Sequence, residues 1–450
     1  MAFTAPAVET TKESSEVNPL QASAAGLEKY QDDRFGMFVH WGLYALIGAN
    51  EWAMFHDRWS VNDYEKLVDR FTAERFDADA WARTAAEAGQ KYLTITSRHH
   101  DGWSMFDTGL SDYKVTRSPF GRDPIAELAD ACRRHGVRLG FYVSLLDWHH
   151  PAYRAVMRER SGLAWDDYVG FLHGQVEELC TQYGDVASFW LDGYWPAEWP
   201  IPRFPNWFAP GGDFRFAELY ESIHRLQPDA VVMNNHHLEP LPGEDVQGFE
   251  GDVPGENTNA GMNRTAPVLD VQETCQTVMT HSYGFHKDDH HYRPAQEQLT
   301  MLLRAAGAGA NFLLNVGPTP AGEIPLPARS RLAEIGGWLA THGEGVYGTR
   351  AGRLVVGDSH GTAPLAASIA VTSRSDTVHY IHLLDGEVPS SFLVDLPGGT
   401  HARSAGAQLL HDGGSVDAEI RGDGDTLRLT VPAERRTGSV TTVRVELASA

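Results

Sequence analysis

The chain has 450 residues, 60 acidic against 37 basic, for a formal charge of −23 with histidine neutral. Its length suits one barrel-sized domain with an accessory domain, or two to three ordinary ones, and 42% hydrophobic with 22% charged residues is a globular composition with a sizeable core. The acidic balance argues against nucleic acid and anionic membranes as partners, and no apolar run approaches the roughly 18 residues needed to span a bilayer.

Residues 1–26 are polar and lack both a basic n-region and an apolar h-region, so they read as a flexible leader, not a secretory signal. From Arg34 to Gly348, short apolar runs alternate with amphipathic ones. The strand-like runs lie at 36–41, 91–97, 137–144, 186–192, 230–235, 245–250, 270–275 and 311–317, nearly continuous in apolar character, as expected for strands buried on both faces. Helix patterns fall between several of them, at 77–89, 123–136, 166–184, 214–228, 293–309 and 328–344. The second opens with Asp123 and Pro124 and closes on Arg133, Arg134, His135 and Gly136, which are start and stop signals. This rhythm points to a (β/α)8-like barrel over 27–348, with a doubly wound open sheet as the competing topology. No Gly-x-Gly-x-x-Gly or Walker loop follows any strand, which speaks against a nucleotide cofactor. Over 349–450 the helix patterns cease and alternating runs such as VHYIHLL, TLRLTVP and VTTVRVEL predict an antiparallel β-sandwich.

Only Cys132, Cys180 and Cys275 occur, too sparse a set for a disulfide framework, and the expected location is cytoplasmic. Twelve Trp and 21 His raise the expectation of a sugar-type pocket. In a parallel barrel the reactive residues sit at the C-terminal strand ends. There the sequence carries His40, then Glu51 and Trp52; His99 and His100; Tyr142; Trp190, Asp192, Tyr194 and Trp195; His236; Asp245 and Glu250; and Glu273 with Tyr283. Asp192 closes an apolar strand among aromatic rings, where a carboxylate can attack or stabilise an oxocarbenium-like carbon, though capping of the next segment is the plainer reading of such an aspartate. The His-His pairs at 99/100, 149/150, 236/237 and 290/291 are poor chelating units, because adjacent strand residues face opposite sides, and no metal is expected.

Several blocks resemble, in order, the α-L-fucosidases of glycoside hydrolase family 29: RFGMFVHWGLYAL, EWAMF, KYLTITSRHHDGWSMFDT, HGVRLGFYVSLLDWH, FWLDG, ETCQTVMTHSYGF and GANFLLNVGPTPAGEIP. The resemblance spans about 34–350. It implies a retaining exo-α-L-fucosidase built as a barrel and sandwich, acting through a covalent fucosyl-enzyme on a terminal fucose of an oligosaccharide or glycoconjugate, with no metal and no other cofactor. It places the nucleophile at Asp192 and fucose contacts at His40, Glu51, Trp52, His99, His100, Tyr142, Trp190 and Tyr283. Where the family often has an arginine after the fifth strand, MNNHH offers His236. The acid/base falls on Glu250 or Asp245, with Glu273 as an auxiliary carboxylate. The loop at 196–213, rich in Trp, Phe and Pro, is a plausible platform for the aglycone. A non-catalytic fucose-binding barrel and a metal-dependent hydrolase are the alternative readings.

Overall fold

A computed structural model describes residues 20–153, 164–194, 212–259, 266–357, 367–385, 387–397 and 401–449. The eight strand-like runs of the first part form one parallel sheet: β1 (Phe35–Val39), β2 (Tyr92–Arg98), β3 (Arg138–Ser144), β4 (Val186–Asp192), β5 (Val231–Asn234), β6 (Gln247–Glu250), β7 (Gln272–Thr277) and β8 (Ala310–Val316). Their order, β5-β4-β3-β2-β1-β8-β7-β6, leaves β5 and β6 at the two edges. A parallel bridge between Met233 and Val246 brings those edges together, so the sheet curls into a nearly closed barrel and not a doubly wound open sheet. Every residue of β1, β2, β4 and β8 is buried, because side chains pack inside the barrel on one face and beneath helices on the other.

The outer layer is α1 (Ala24–Asp33), α2 (Ala78–Glu87), α3 (Pro124–His135), α4 (Trp165–Gln182), α5 (Phe216–Leu226), α6 (Ala295–Gly307) and α7 (Leu326–His342). At the start of α3, Asp123 accepts hydrogen bonds from the Ile125 and Ala126 amides. Gly136 ends that helix at φ 69°, a conformation that costs glycine little. Among the described residues, no helix lies between β5 and β6 or between β6 and β7. None of the described helices is long and apolar enough to cross a membrane.

The leader expected over 1–26 needs correcting at its end; its first 19 residues lie outside the described ones. Ser23 accepts a hydrogen bond from the Gly26 amide and starts α1 at Ala24. A Cβ at Gly26 would come within 2.5 Å of the Asp229 carbonyl oxygen, so the first turn of α1 is seated on the barrel backbone.

The C-terminal part packs a four-stranded sheet, β10-β13-β16-β15, against a five-stranded one, β14-β17-β12-β11-β9. The strands are β9 (Arg350–Ala351), β10 (Val355–Gly357), β11 (Ile369–Ser373), β12 (Val378–Leu383), β13 (Ser391–Asp395), β14 (Ala402–Leu409), β15 (Asp417–Arg421), β16 (Thr426–Thr430) and β17 (Thr441–Ser449). Phe392, Leu427, Leu429, Val443 and Val445 fill the space between the sheets. The sandwich leans on the barrel's helices: Trp338 Nε1 of α7 donates to the Val440 carbonyl at 2.9 Å, and Gln296 Nε2 of α6 to the Leu384 carbonyl at 2.8 Å.

Candidate active site

Alternation along the strands decides what reaches the barrel mouth. On β4, Trp190 and then Asp192 face inward; after β5, Met233 is followed by Asn235; β6 ends at Glu250. These residues, with Phe38, His40, Glu51, Trp52, His99, Tyr142, Cys275 and Tyr283, line a cavity of about 580 Å³. A volume of that order suits a small sugar ligand.

Asn235 joins the two carboxylates. Its Nδ2 lies 3.4 Å from Asp192 Oδ1 and 3.0 Å from Glu250 Oε2. The two oxygens are therefore at most about 6.4 Å apart, the sum of those distances. Retaining glycosidases space their carboxyl groups at roughly 5–5.5 Å and inverting ones at roughly 6.5–9.5 Å. Asp192 also accepts a 2.6 Å hydrogen bond from Tyr142 Oη, while His100 Nε2 stands 3.6 Å from its Oδ2. Burial pushes the Asp192 carboxyl up to about 7; the Tyr142 hydrogen bond opposes that rise, and the charge of Glu250 adds to it.

The remaining lining is held from behind. Asn315 Nδ2 donates to the Tyr283 carbonyl and to Thr277 Oγ1, so its Oδ1 accepts from His40 Nδ1 at 2.8 Å. That sets the proton of His40 on Nδ1, and burial depresses the imidazole to about 3, leaving Nε2 a neutral acceptor. His99 stacks on Tyr142 with ring centroids 5.3 Å apart, and its buried Nδ1 has no protein partner. His100 bonds through Nδ1 to Ser144 Oγ at 2.7 Å, so it backs Asp192 instead of lining the cavity. Glu51 accepts from the Tyr283 and Gly284 amides at 3.1 and 2.8 Å, and burial raises its carboxyl. Trp52 stands edge-on to His100 and Trp148 at 4.8 and 5.4 Å. Tyr283 crosses His40 at 5.1 Å and places its hydroxyl 3.6 Å from the Cys275 thiol.

Besides His100, three expected site residues fall outside the cavity lining. Asp245 is buried two residues ahead of β6, five residues and one reversal of facing before Glu250. Its carboxylate accepts from His224 Nε2 and the Val232 amide, both at 2.8 Å, and from the Ala22 amide at 2.9 Å. It is thus the fastener of the β5–β6 seam, facing away from the cavity. His236 follows the inward Asn235 and therefore turns out, to Glu244 at 2.9 Å. Glu273 faces inward but too deep: it accepts from the Tyr30 and Tyr92 hydroxyls and, at 3.1 Å, from Trp190 Nε1, beneath the cavity floor. Asn235 is the residue that sequence reasoning missed, although strand alternation from Trp190 and Asp192 onward signals which member of MNNHH turns in. Trp195 and most of the loop at 196–213 lie outside the described residues. Among the described residues no three His, Cys, Asp or Glu side chains converge as a metal would require, and His149 pairs with Glu65 at 2.6 Å.

A carboxylate pair this close, at a sugar-sized mouth of a parallel barrel, puts the chain among the glycoside hydrolases. Comparison with known proteins narrows the class. A family model described as Alpha-L-fucosidase matches residues 2–344, and the chain belongs to that family, the α-L-fucosidases of glycoside hydrolase family 29. An alpha-L-fucosidase of Dictyostelium discoideum is 28% identical over 355 residues, 72% of each chain. Human tissue alpha-L-fucosidase is 25% identical over 79% of this chain and 75% of its own. The solved structure of alpha-L-fucosidase isoenzyme 1 from Paenibacillus thiaminolyticus is 31% identical, covering 94% of this chain and 99% of its own, with a TM-score of 0.76. A family 29 enzyme from Bacteroides thetaiotaomicron shares the fold at 23% identity and a TM-score of 0.79, over 95% and 96% of the two chains.

Proposed function

We propose that this α-L-fucosidase removes terminal fucose from oligosaccharides or glycoconjugates with retention of configuration, Asp192 acting as nucleophile and Glu250 as acid/base. The carrying observation is the single amide that touches both carboxylates and holds their facing oxygens no more than about 6.4 Å apart, short of the roughly 6.5–9.5 Å spacing of inverting enzymes. Asp192 attacks the anomeric carbon while Glu250 protonates the departing glycosidic oxygen. In the second half Glu250, now ionised, takes a proton from water, which displaces Asp192 from the same carbon. His40, His99, Glu51, Trp52, Tyr142, Trp190 and Tyr283 line the cavity that would receive the fucosyl ring. A relative of the same fold, from Bacteroides thetaiotaomicron, is described as a trapped covalent intermediate with 2-fluoro-fucosyl fluoride, which supports the two-step reading. Cys132, Cys180 and Cys275 are buried free thiols, in keeping with a cytoplasmic location.

Product stereochemistry tests the assignment. Asp192→Ala abolishes turnover of aryl fucosides, and added azide yields β-fucosyl azide from the vacated face. Glu250→Ala still forms the fucosyl-enzyme from a nitrophenyl fucoside, and azide then yields the α-azide, with turnover otherwise down about 10²–10⁴-fold. Asp245→Ala keeps ordinary hydrolysis in whatever fraction folds. An α-azide from Asp245→Ala and none from Glu250→Ala would reverse the assignment.

A further inference from the structure

Asn235 is 4% exposed, and its nitrogen faces Asp192 Oδ1, an acceptor in the ionised nucleophile, and Glu250 Oε2, which accepts while the acid proton sits on the other oxygen. That settles the orientation of the amide: nitrogen toward Asp192 and Glu250, oxygen the other way. The oxygen, Oδ1, is buried, belongs to a residue lining the cavity, and has no partner within the protein. A buried acceptor left without a donor is costly, so it calls for a donor from the ligand.

We propose that Asn235 is a third member of the reacting group: its nitrogen holds the two carboxylates in place and its carbonyl oxygen accepts the hydroxyl on C2 of the fucosyl ring. The proposal rests on the assignment of Asp192 and Glu250. The nucleophile lies below the anomeric carbon and the acid/base beside the glycosidic oxygen. A side chain touching both therefore stands next to that carbon. Two ring atoms flank the anomeric carbon. The ring oxygen has no proton to give, whereas C2 carries a hydroxyl, so the unsatisfied acceptor selects C2. As positive charge grows at the anomeric carbon, the C2 hydroxyl becomes a better donor and its bond to Oδ1 strengthens, which favours the transition state over bound substrate. An amide is suited to this position because it offers donors to two anions and an acceptor to the sugar, whereas a third carboxylate would repel both neighbours.

The test is a cycle of kcat/KM values for wild type and Asn235→Leu on nitrophenyl α-L-fucoside and its 2-deoxy analogue. Asn235→Leu loses about 100-fold or more on the fucoside, in the range of a lost charge-assisted contact. On the 2-deoxy substrate the same substitution loses at least about 10-fold less, because the contact with C2 is already gone. The acidic limb of the kcat/KM profile also moves to higher pH in the variant, since Asp192 loses a donor; a purely structural defect lowers activity without moving that limb. Equal losses on both substrates overturn the contact with C2, and an unmoved limb overturns the hold on the carboxylates. Asn235→Ala carries the same expectations if Asn235→Leu fails to fold. Azide stereochemistry in the Asp192 and Glu250 variants reports separately on the assignment beneath the proposal.

Discussion

The hydrogen bond from Tyr142 to Asp192 gives the reading a quantitative edge. Tyr142 Oη lies 2.6 Å from Asp192 Oδ2 in a buried setting, and burial, which disfavours its charge, pushes that carboxyl up to about 7. A hydrogen bond to a charged group contributes about 1.5–3 kcal/mol, which corresponds to roughly one to two pKa units. Tyr142→Phe removes the donor and keeps the ring that stacks on His99 and Trp190. Because the bond favours the anion, its loss raises the Asp192 pKa further. The acidic limb of kcat/KM, which reports the free enzyme, therefore moves up by about one to two pH units. Near pH 7 the ionised fraction falls from about a half to between about 1 and 10%, a loss of about 5- to 50-fold, and activity returns towards the wild-type value near pH 9. Steady-state rates on nitrophenyl fucoside from pH 5 to 10 read this directly. A loss of equal size at every pH, with the limb in place, would refute the argument that this hydroxyl tunes the nucleophile.

Two further expectations concern groups outside the reaction itself. Glu273→Leu strands the Tyr30, Tyr92 and Trp190 donors, each costing about 1–3 kcal/mol, so melting should fall by more than about 5 °C; an unchanged melting temperature removes the case for a structural role. Burial holds the Glu273 carboxyl up to about 7, above its unfolded value near 4.3, so its contribution to stability is complete below that lower value and fades as pH rises through 7. Denaturant unfolding between pH 4 and 8 should thus show a shallower alkaline decline in Glu273→Leu than in wild type. Dialysis against EDTA should leave fucoside hydrolysis unchanged, because among the described residues no three metal-binding side chains converge and His149 and His236 are paired with Glu65 and Glu244; a loss restored by zinc or manganese would contradict this.

Much of the architecture was written locally. Strands buried on both faces must be continuously apolar, and helices between them must begin and end on caps, so Val186–Asp192 and Pro124–His135 could be placed without their neighbours. The weaker elements escaped for the same reason. Helix α1 buries little beyond Gly26, Tyr30 and Asp33, and β14 and β15 are polar strands at sheet edges with few inward apolar positions, so none carries a strong period. Asp192 stood out because it ends a strand among rings. The other carboxylates did not sort themselves: Asp245, Glu250 and Glu273 share a residue class and a strand-like setting, and their depth and facing separate them. A strand reverses its side chains at every residue, so an odd separation sends Asp245 to the seam and Glu250 to the cavity, and one step divides Asn235 from His236. Which parity faces inward is set by how eight strands register around the closed barrel. That register is a property of the packed whole: only when β5 meets β6 does an amide on one strand touch a carboxylate on the next, and no local pattern encodes that meeting.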